Sequence, residues 1–281
     1  MHIPPHDNGN VPIVDANDRT VPLNYFNIVR LRAGEAFDYA VEGYETCIVP
    51  ATGTVDVEVG GVRAEALGGR GADVWDGEPE GVYVPTGARA AMTARDDAEV
   101  FVAGARFDEA LEPFAVRAGE LDVVQYGSDD TKTHRKIKHI LGQRQAGRVG
   151  RLLVSELFTV GAGGWSGFPP HKHDTDRSEE GRVIETRHDE TYNFRFRPSH
   201  GAGLQLLEKE GGSEAYHLRD GSTVCLDAGY HPCVAMPGYE MYYFTILGGL
   251  SQRPLVQYFQ PDHAYQVETI PGLKDMIAKF K

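Results

Sequence analysis

Cysteine is scarce in this chain: Cys47, Cys225 and Cys233 are the only three in 281 residues. The count is odd and no C-x-x-C pair exists, so a disulfide framework is excluded and reduced thiols are expected. Cys233 stands two residues after His231 and reads as a small packed side chain, with a place in the same cavity as the alternative. Positive charge is also short, with 28 Lys and Arg against 41 Asp and Glu and a net charge of −13. That balance argues against nucleic acid or an anionic membrane as the main partner, while a local basic pocket can still receive a small anion. No apolar run approaches the roughly 18–20 residues of a membrane span. The first residues lack the basic-then-apolar layout of a signal peptide, so a cytoplasmic protein is expected. What remains is ample for a core: 41% hydrophobic residues and 25% charged ones are the proportions of a globular protein.

Residues 1–20 carry Pro4, Pro5, Pro12, Asn8 and Asn10 with little apolar pattern and read as a surface arm, with His2 and His6 solvated. From Tyr25 onward, short β-rich runs alternate with turn signals. Val55, Val57 and Val59 alternate with Asp56 and Glu58, and Gly60-Gly61 then marks a hairpin turn. Strands at this spacing point to an all-β sandwich or barrel rather than βαβ units. The second half repeats the plan, with strands predicted at 152–160, 190–197, 203–207, 222–226 and 242–247. Val82 to Gly87 and Thr223 to Gly229 echo each other as strand, glycine turn, strand, which suggests a duplication. Between the halves, Phe107 to Phe114 reads as partly helical. Thr131 to His139 reads as a basic stretch, either a solvated linker or an anion-facing loop. Pro271 to Phe280 reads as a short amphipathic helix with no chemistry assigned.

The chemistry centres on Phe168-Pro169-Pro170-His171-Lys172-His173-Asp174. In an extended strand residues two apart share a face, so His171 and His173 aim into one space while Lys172 points away. Such a pair is half of a first-row metal site or, in the bland reading, two polar strand residues facing solvent. Later candidates for the other half are Glu190 and His231, with Glu179, Glu180 and Glu185 as rival carboxylates. Glu190 is preferred because a strand pattern follows it, placing Tyr192, Phe194 and Phe196 on its face. Arg195 has the opposite parity and should point away. Three imidazoles and a carboxylate suit Zn²⁺ or Mn²⁺ in the first place, with Fe²⁺ and Ni²⁺ as alternatives, one ion per chain. Tyr192, Gln205, Tyr242 and Tyr243 are available to hydrogen-bond a polyhydroxylated ligand, although each tyrosine also makes a good core packer.

An H-x-H pair, a later strand glutamate and a histidine after a glycine turn is the ligand order of the cupin superfamily, which the chain resembles. The 16 residues from 174 to 189 that separate His173 from Glu190 are a longer gap than the usual cupin form has. The likeness tightens with Trp165 to Asp174, Glu190-Thr191-Tyr192, Gly229-Tyr230-His231-Pro232, Gly238-Tyr239 with Tyr242-Tyr243, Pro261-Asp262-His263 and the interdomain run Thr133 to Leu141. Together these resemble the 5-deoxyglucuronate isomerase family of bacterial myo-inositol degradation, bicupin sugar-acid isomerases related to hexuronate ketol-isomerase.

The resemblance implies an all-β fold of two tandem cupin-type β-barrels, the N-terminal one lacking metal ligands. The divisions expected are an arm at 1–20, a degenerate barrel at 21–107, a connecting segment at 108–149, a metal-binding barrel at 150–266 and a short helix at 267–281. It implies His171, His173, Glu190 and His231 as metal ligands. It also implies conversion of 5-deoxy-D-glucuronate to 5-dehydro-2-deoxy-D-gluconate. Tyr192 and Tyr243 are then the candidate catalytic groups. Arg135 and Gln205 are candidates for substrate binding, with Arg135 or Arg195 pairing with the carboxylate, and a homo-oligomer is allowed. Asn193 and Phe194 depart from the tyrosine and histidine the family usually places there. A different sugar acid, an iron-dependent dioxygenase and a non-catalytic sugar-binding cupin stand as alternatives.

Overall fold

A computed structural model describes residues 1–279, with side chains through 277. Its elements follow from local pattern. Val55, Val57 and Val59 all turn inward from the strand Thr54–Val59, and Gly60-Gly61, both at positive φ, return the chain into Val62–Gly68. Tyr44–Thr52, Ala98–Arg106 and Glu240–Gly249 show no such alternation because they are buried on both faces.

That double burial comes from stacked sheets. A five-stranded antiparallel sheet (Asn24–Leu31, Tyr44–Thr52, Gly81–Val84, Ala98–Arg106 and Phe114–Val116) faces a four-stranded one, and Val29, Ile48, Val57, Val82, Met92 and Val100 fill the space between. A seven-stranded sheet, which gathers His2–Ile3 and strands from Asp122 onward, faces another four-stranded sheet across Phe194, Phe196, Leu207, Leu218, Val224 and Met241. The two larger sheets lie back to back, where Phe101 meets Phe244 at 4.8 Å between ring centroids and Phe26 at 5.8 Å. Burying such aromatic surface is the main source of stability here, on the order of 2–3 kcal/mol per fully buried side chain. Apart from short 3-10 turns, the only described helices are Gln266–Thr269 and Leu273–Lys279. No described helix is long and apolar enough to cross a membrane.

Polar groups lock this seam as well. The buried Arg70–Glu156 pair, with Tyr242 donating to the same carboxylate, joins the halves. The buried carboxylate of Glu45 accepts from the Tyr83 hydroxyl at 2.6 Å and from the backbone N–H groups of Gly150, Arg151 and Leu152. This starts the strand Leu152–Thr159 in a fixed place. Glu45→Ala leaves four donors without their acceptor, at about 1–3 kcal/mol for a buried one. Urea unfolding of this variant is expected to register a loss of at least about 3 kcal/mol; a loss under about 1 kcal/mol would mean water replaces the carboxylate.

Three segments differ from expectation, and the C-terminal helix meets it over the described residues. Phe107 to Phe114 is not helical: Pro113 cannot donate a backbone hydrogen bond, and Phe114 instead opens the strand Phe114–Val116 and stacks on Tyr83 at 5.1 Å. The basic stretch is neither linker nor loop over most of its length. Arg135–Leu141 is an inner strand of the seven-stranded sheet, between Asp122–Tyr126 and Leu152–Thr159. The arm is only partly a surface feature, since His2–Ile3 pairs with Thr223–Leu226 and Val14 is buried. The C-terminal helix lies at Leu273–Lys279, and the Phe280 end of the expected one falls outside the described residues.

Candidate metal centre

The inner face of the seven-stranded sheet is set by parity and register. Strand His188–Arg197 turns Glu190, Tyr192 and Phe194 inward, and Glu240–Gly249 adds Tyr243, Thr245 and Leu247. Leu152–Thr159 adds Leu153, Ser155 and Leu157, and Arg135–Leu141 adds Arg135, Ile137 and His139. Cross-strand pairing places Tyr192, Thr245, Ser155 and His139 in one row. Arg195 faces the other way, onto Glu99 and the Phe101 ring, as its parity requires. Tyr242 also faces away, into the seam. The inward residues line a cavity of about 370 Å³ that His171, Gln257, Phe259, Leu273 and Met276 help to close.

At one end of this cavity the ligand-capable nitrogens of His171, His173 and His231 all lie within 4.8 Å of one another. Glu190 reaches them from the sheet, its Oε2 standing 3.0 Å from His173 Nε2 and 3.3 Å from His231 Nε2. Glu190 Oε1 accepts from the Thr245 hydroxyl at 2.8 Å. His173 comes close to Glu190 because the chain between them is a self-contained excursion. Arg177–Glu179 and Arg182–Glu185 form a small hairpin, and His188 N–H donates to His173 O at 2.9 Å to close its base. The rival carboxylates leave with it: Glu179 and Glu180 are exposed, and Glu185 accepts from the Asp174 and Thr175 N–H groups while pairing with Lys172 and Arg177.

The tautomers decide what this cluster can hold. His173 Nδ1–H has the His188 carbonyl at 3.1 Å, and His231 Nδ1–H has the Gly229 carbonyl at 2.7 Å. Both rings therefore turn Nε2 inward toward Glu190, the arrangement that orients imidazole ligands in metal sites. His231 Nε2 is buried and makes no hydrogen bond of adequate geometry. Burial, followed by the charges of His231 and His173, holds His171 well below its ordinary pKa, so it offers a lone pair. Burial would raise Glu190, but the imidazoles His173 and His231 outweigh it and hold the carboxyl well below the usual range. Burial would lower the His173 pKa, but its bond to Glu190 Oε2 outweighs burial and raises it, so a proton sits between the two, in the place a divalent ion would take. With metal–ligand bonds of about 2.0–2.2 Å, neighbouring ligand atoms stand about 2.8–3.1 Å apart at right angles and about 3.3–3.6 Å apart in a tetrahedron, a span that includes the two Glu190 distances of 3.0 and 3.3 Å. The residues present fit a divalent ion.

The other end of the cavity has a different character. Arg135 is buried and donates from Nη1 to the Tyr126 hydroxyl at 3.1 Å and from Nη2 to the Tyr243 hydroxyl at 2.8 Å, while its Nε has no partner. Among the described residues no carboxylate stands within ion-pair reach of it. Arg253, which also lines the cavity, spends its donors on the carbonyls of Leu152, Leu141 and Gly142. Tyr243 also bonds Ser166 and packs against Tyr192, with ring centroids 4.5 Å apart and the planes tilted by 51°. Burial pushes both phenols up, with the Glu190 charge adding to the effect on Tyr192, so each stays protonated at neutral pH. Gln205, expected to meet substrate, does not line the cavity: it is fully buried, and its Nε2 donates to the His231 carbonyl at 2.7 Å and to Pro232 at 3.1 Å. It fixes the loop that carries His231. Cys233 is buried among the aromatic side chains rather than in the cavity, its thiol pushed up to about 12 by burial.

His139 escaped attention in the sequence because it ends a run of charges. Its Nδ1 sits 2.7 Å from Ser155 Oγ, and burial pulls its pKa down to about 4. A histidine with a lowered folded pKa binds fewer protons than the unfolded chain between that value and about 6.5. Stability is therefore expected to fall as pH drops from about 6.5 to 4, by up to roughly 3 kcal/mol from this group. In His139→Asn that share of the acid sensitivity should vanish from chemical-denaturation profiles. An unchanged slope would place the sensitivity elsewhere.

Fold and site together define a nearly all-β protein whose buried cavity holds a three-histidine, one-glutamate cluster at one end and a carboxylate-free arginine at the other. The KduI/IolB family profile matches residues 2–266, and the chain belongs to that family. It is 31% identical over 270 residues to the 5-deoxy-glucuronate isomerase of Geobacillus kaustophilus (strain HTA426), covering 94% of this chain and 93% of that one. The Geobacillus thermodenitrificans (strain NG80-2) protein of the same name is 30% identical over 268 residues, covering 94% of each. Among solved structures, an IolB-like protein from Salmonella typhimurium LT2 superposes with a TM-score of 0.79 at 28% identity, covering 86% of this chain and 89% of that one. An oxalate decarboxylase from Lactobacillus farciminis superposes with a TM-score of 0.58 at 10% identity, covering 91% and 83%, and so shares the fold alone.

Proposed function

We propose that this chain is a metal-dependent aldose–ketose isomerase that converts 5-deoxy-D-glucuronate to 5-dehydro-2-deoxy-D-gluconate in myo-inositol breakdown in the cytoplasm. The observation that carries the reading is the pairing of two unlike ends in one cavity. His171, His173, Glu190 and His231 are placed to hold one divalent ion, Zn²⁺ or Mn²⁺ before Fe²⁺ or Ni²⁺, and Arg135 waits for an anion. A buried guanidinium without a carboxylate is costly unless a ligand supplies one. A sugar acid has a carbonyl at one end and a carboxylate at the other. In the same reading the fold is a bicupin, with barrels at 21–107 and 150–266, and the N-terminal one has no metal role.

Bound there, the ion would supply Lewis acidity to the carbonyl and its neighbouring hydroxyl, worth several kcal/mol. The chain's own residues bind and orient the substrate. Arg135 and the Tyr243 hydroxyl fix the carboxylate. Tyr192, held protonated beside Glu190, donates to a substrate oxygen at the reacting end rather than acting as a base. The walls Leu157, Phe168, Leu247 and Met276 exclude water, which strengthens each of these contacts. Anaerobic incubation of the metal-loaded protein with 5-deoxyglucuronate, followed by NMR, tests this directly. Ketose formation without oxygen is expected. Turnover only with oxygen would indicate a dioxygenase, and binding without turnover a sugar-binding protein.

A further inference from the structure

The segment after Pro254 lies as a strap across the paired histidines, and backbone contacts hold it there. Val256 N–H donates to the Thr186 hydroxyl at 2.8 Å and Thr186 N–H to the Val256 carbonyl at 3.1 Å. Strand Tyr258–Phe259 pairs with His171–Lys172, and Gln260 N–H donates to the Pro170 carbonyl at 2.8 Å. Of the strap residues that line the cavity beyond Arg253 (Pro254, Leu255, Gln257 and Phe259), one alone has a polar side chain. Its amide stands 2.8 Å from His171 Nε2. That separation is close to the 3.0 Å between Glu190 Oε2 and His173 Nε2, the spacing of adjacent ligand atoms. The amide oxygen and nitrogen are nearly equal in shape, so a half-turn about the last side-chain bond exchanges the donor for an acceptor.

We propose that Gln257 is a fifth member of the metal site, turning its amide oxygen toward the ion that the three imidazoles and Glu190 hold. The proposal rests on the metal reading above. The strap brings the side chain to the open, cavity side of His171, so Gln257 would occupy the position a substrate oxygen approaches. A neutral amide is a weak ligand for a divalent ion and can yield to substrate, which a second carboxylate would not do readily.

Zn²⁺ titration against a competing chelator, with Co²⁺ absorption spectra, separates the outcomes in the full-length protein. Removing a ligand weakens binding, and about a tenfold loss is expected for Gln257→Leu. Gln257→Glu should restore or exceed wild-type affinity, and the Co²⁺ spectrum should change in both variants. If Gln257 only caps the metal-free imidazole, its removal frees His171 Nε2. Gln257→Leu would then bind Zn²⁺ as well as wild type or better, which would overturn the proposal. Unchanged Zn²⁺ affinity with a raised KM would also overturn it, leaving Gln257 as a substrate contact alone. A wild-type protein that takes up no Zn²⁺ or Co²⁺ would remove the metal reading itself, a separate result.

Discussion

Replacing His171 or His231 with alanine should strip the bound divalent ion and lower turnover by at least about 10³-fold, the several kcal/mol a Lewis acid contributes. The fold should survive. His231 Nε2 is a buried nitrogen without a hydrogen bond, so its removal takes away a cost in the metal-free protein. His171 and His173 lie on a segment whose backbone is held by Phe259, Gln260 and His188, not by their rings. Elemental analysis and thermal melts of metal-free wild type and variants check both halves of the expectation. Stoichiometric metal in both variants would contradict the assignment.

Arg135→Met should reduce kcat/KM for the sugar acid by about 30- to 5,000-fold, the 2–5 kcal/mol typical when one partner of a buried charge pair is truncated. The same change should leave stability unchanged or raise it, because the free protein sheds a buried charge that no carboxylate balances. Arg135→Lys should recover only part of the activity, since an ammonium lacks the planar fork that grips a carboxylate. A sugar of the same length with its carboxylate reduced to an alcohol gives the control. Wild type and Arg135→Met should handle that substrate with similar efficiency. An equal loss on both substrates would mean Arg135 shapes the cavity without reading the acid.

Much of the centre was legible from period-two reasoning. Glu190, Tyr192, Phe194 and Phe196 do share a face, and Arg195 does turn away to Glu99. The long interval between His173 and Glu190 gave no warning that residues 177–185 fold on themselves, because a hairpin closed by the His188 N–H looks in sequence like any charged loop. Arg135 was harder. Its neighbours Lys132, His134 and Lys136 make the run look solvated, yet alternation within a strand turns Arg135 and His139 inward; the phenols that meet Arg135 come from Tyr126 and Tyr243, far apart in the chain. Gln205 misled for the opposite reason. It has the right polarity for a sugar contact, but it is buried away from the cavity and its amide nitrogen is taken by the His231 and Pro232 carbonyls. Gln257 carried no signal at all, since only the pairing of His171 with Phe259 brings it to the cluster.

X-ray absorption at the edge of the ion that co-purifies with the protein, combined with elemental analysis, should find one divalent ion per chain. Its shell should contain three imidazole nitrogens and oxygen, and the imidazole scattering should diminish in His171→Ala. An ion in a shell without imidazole, or a catalytically competent protein that carries no ion, would contradict the account.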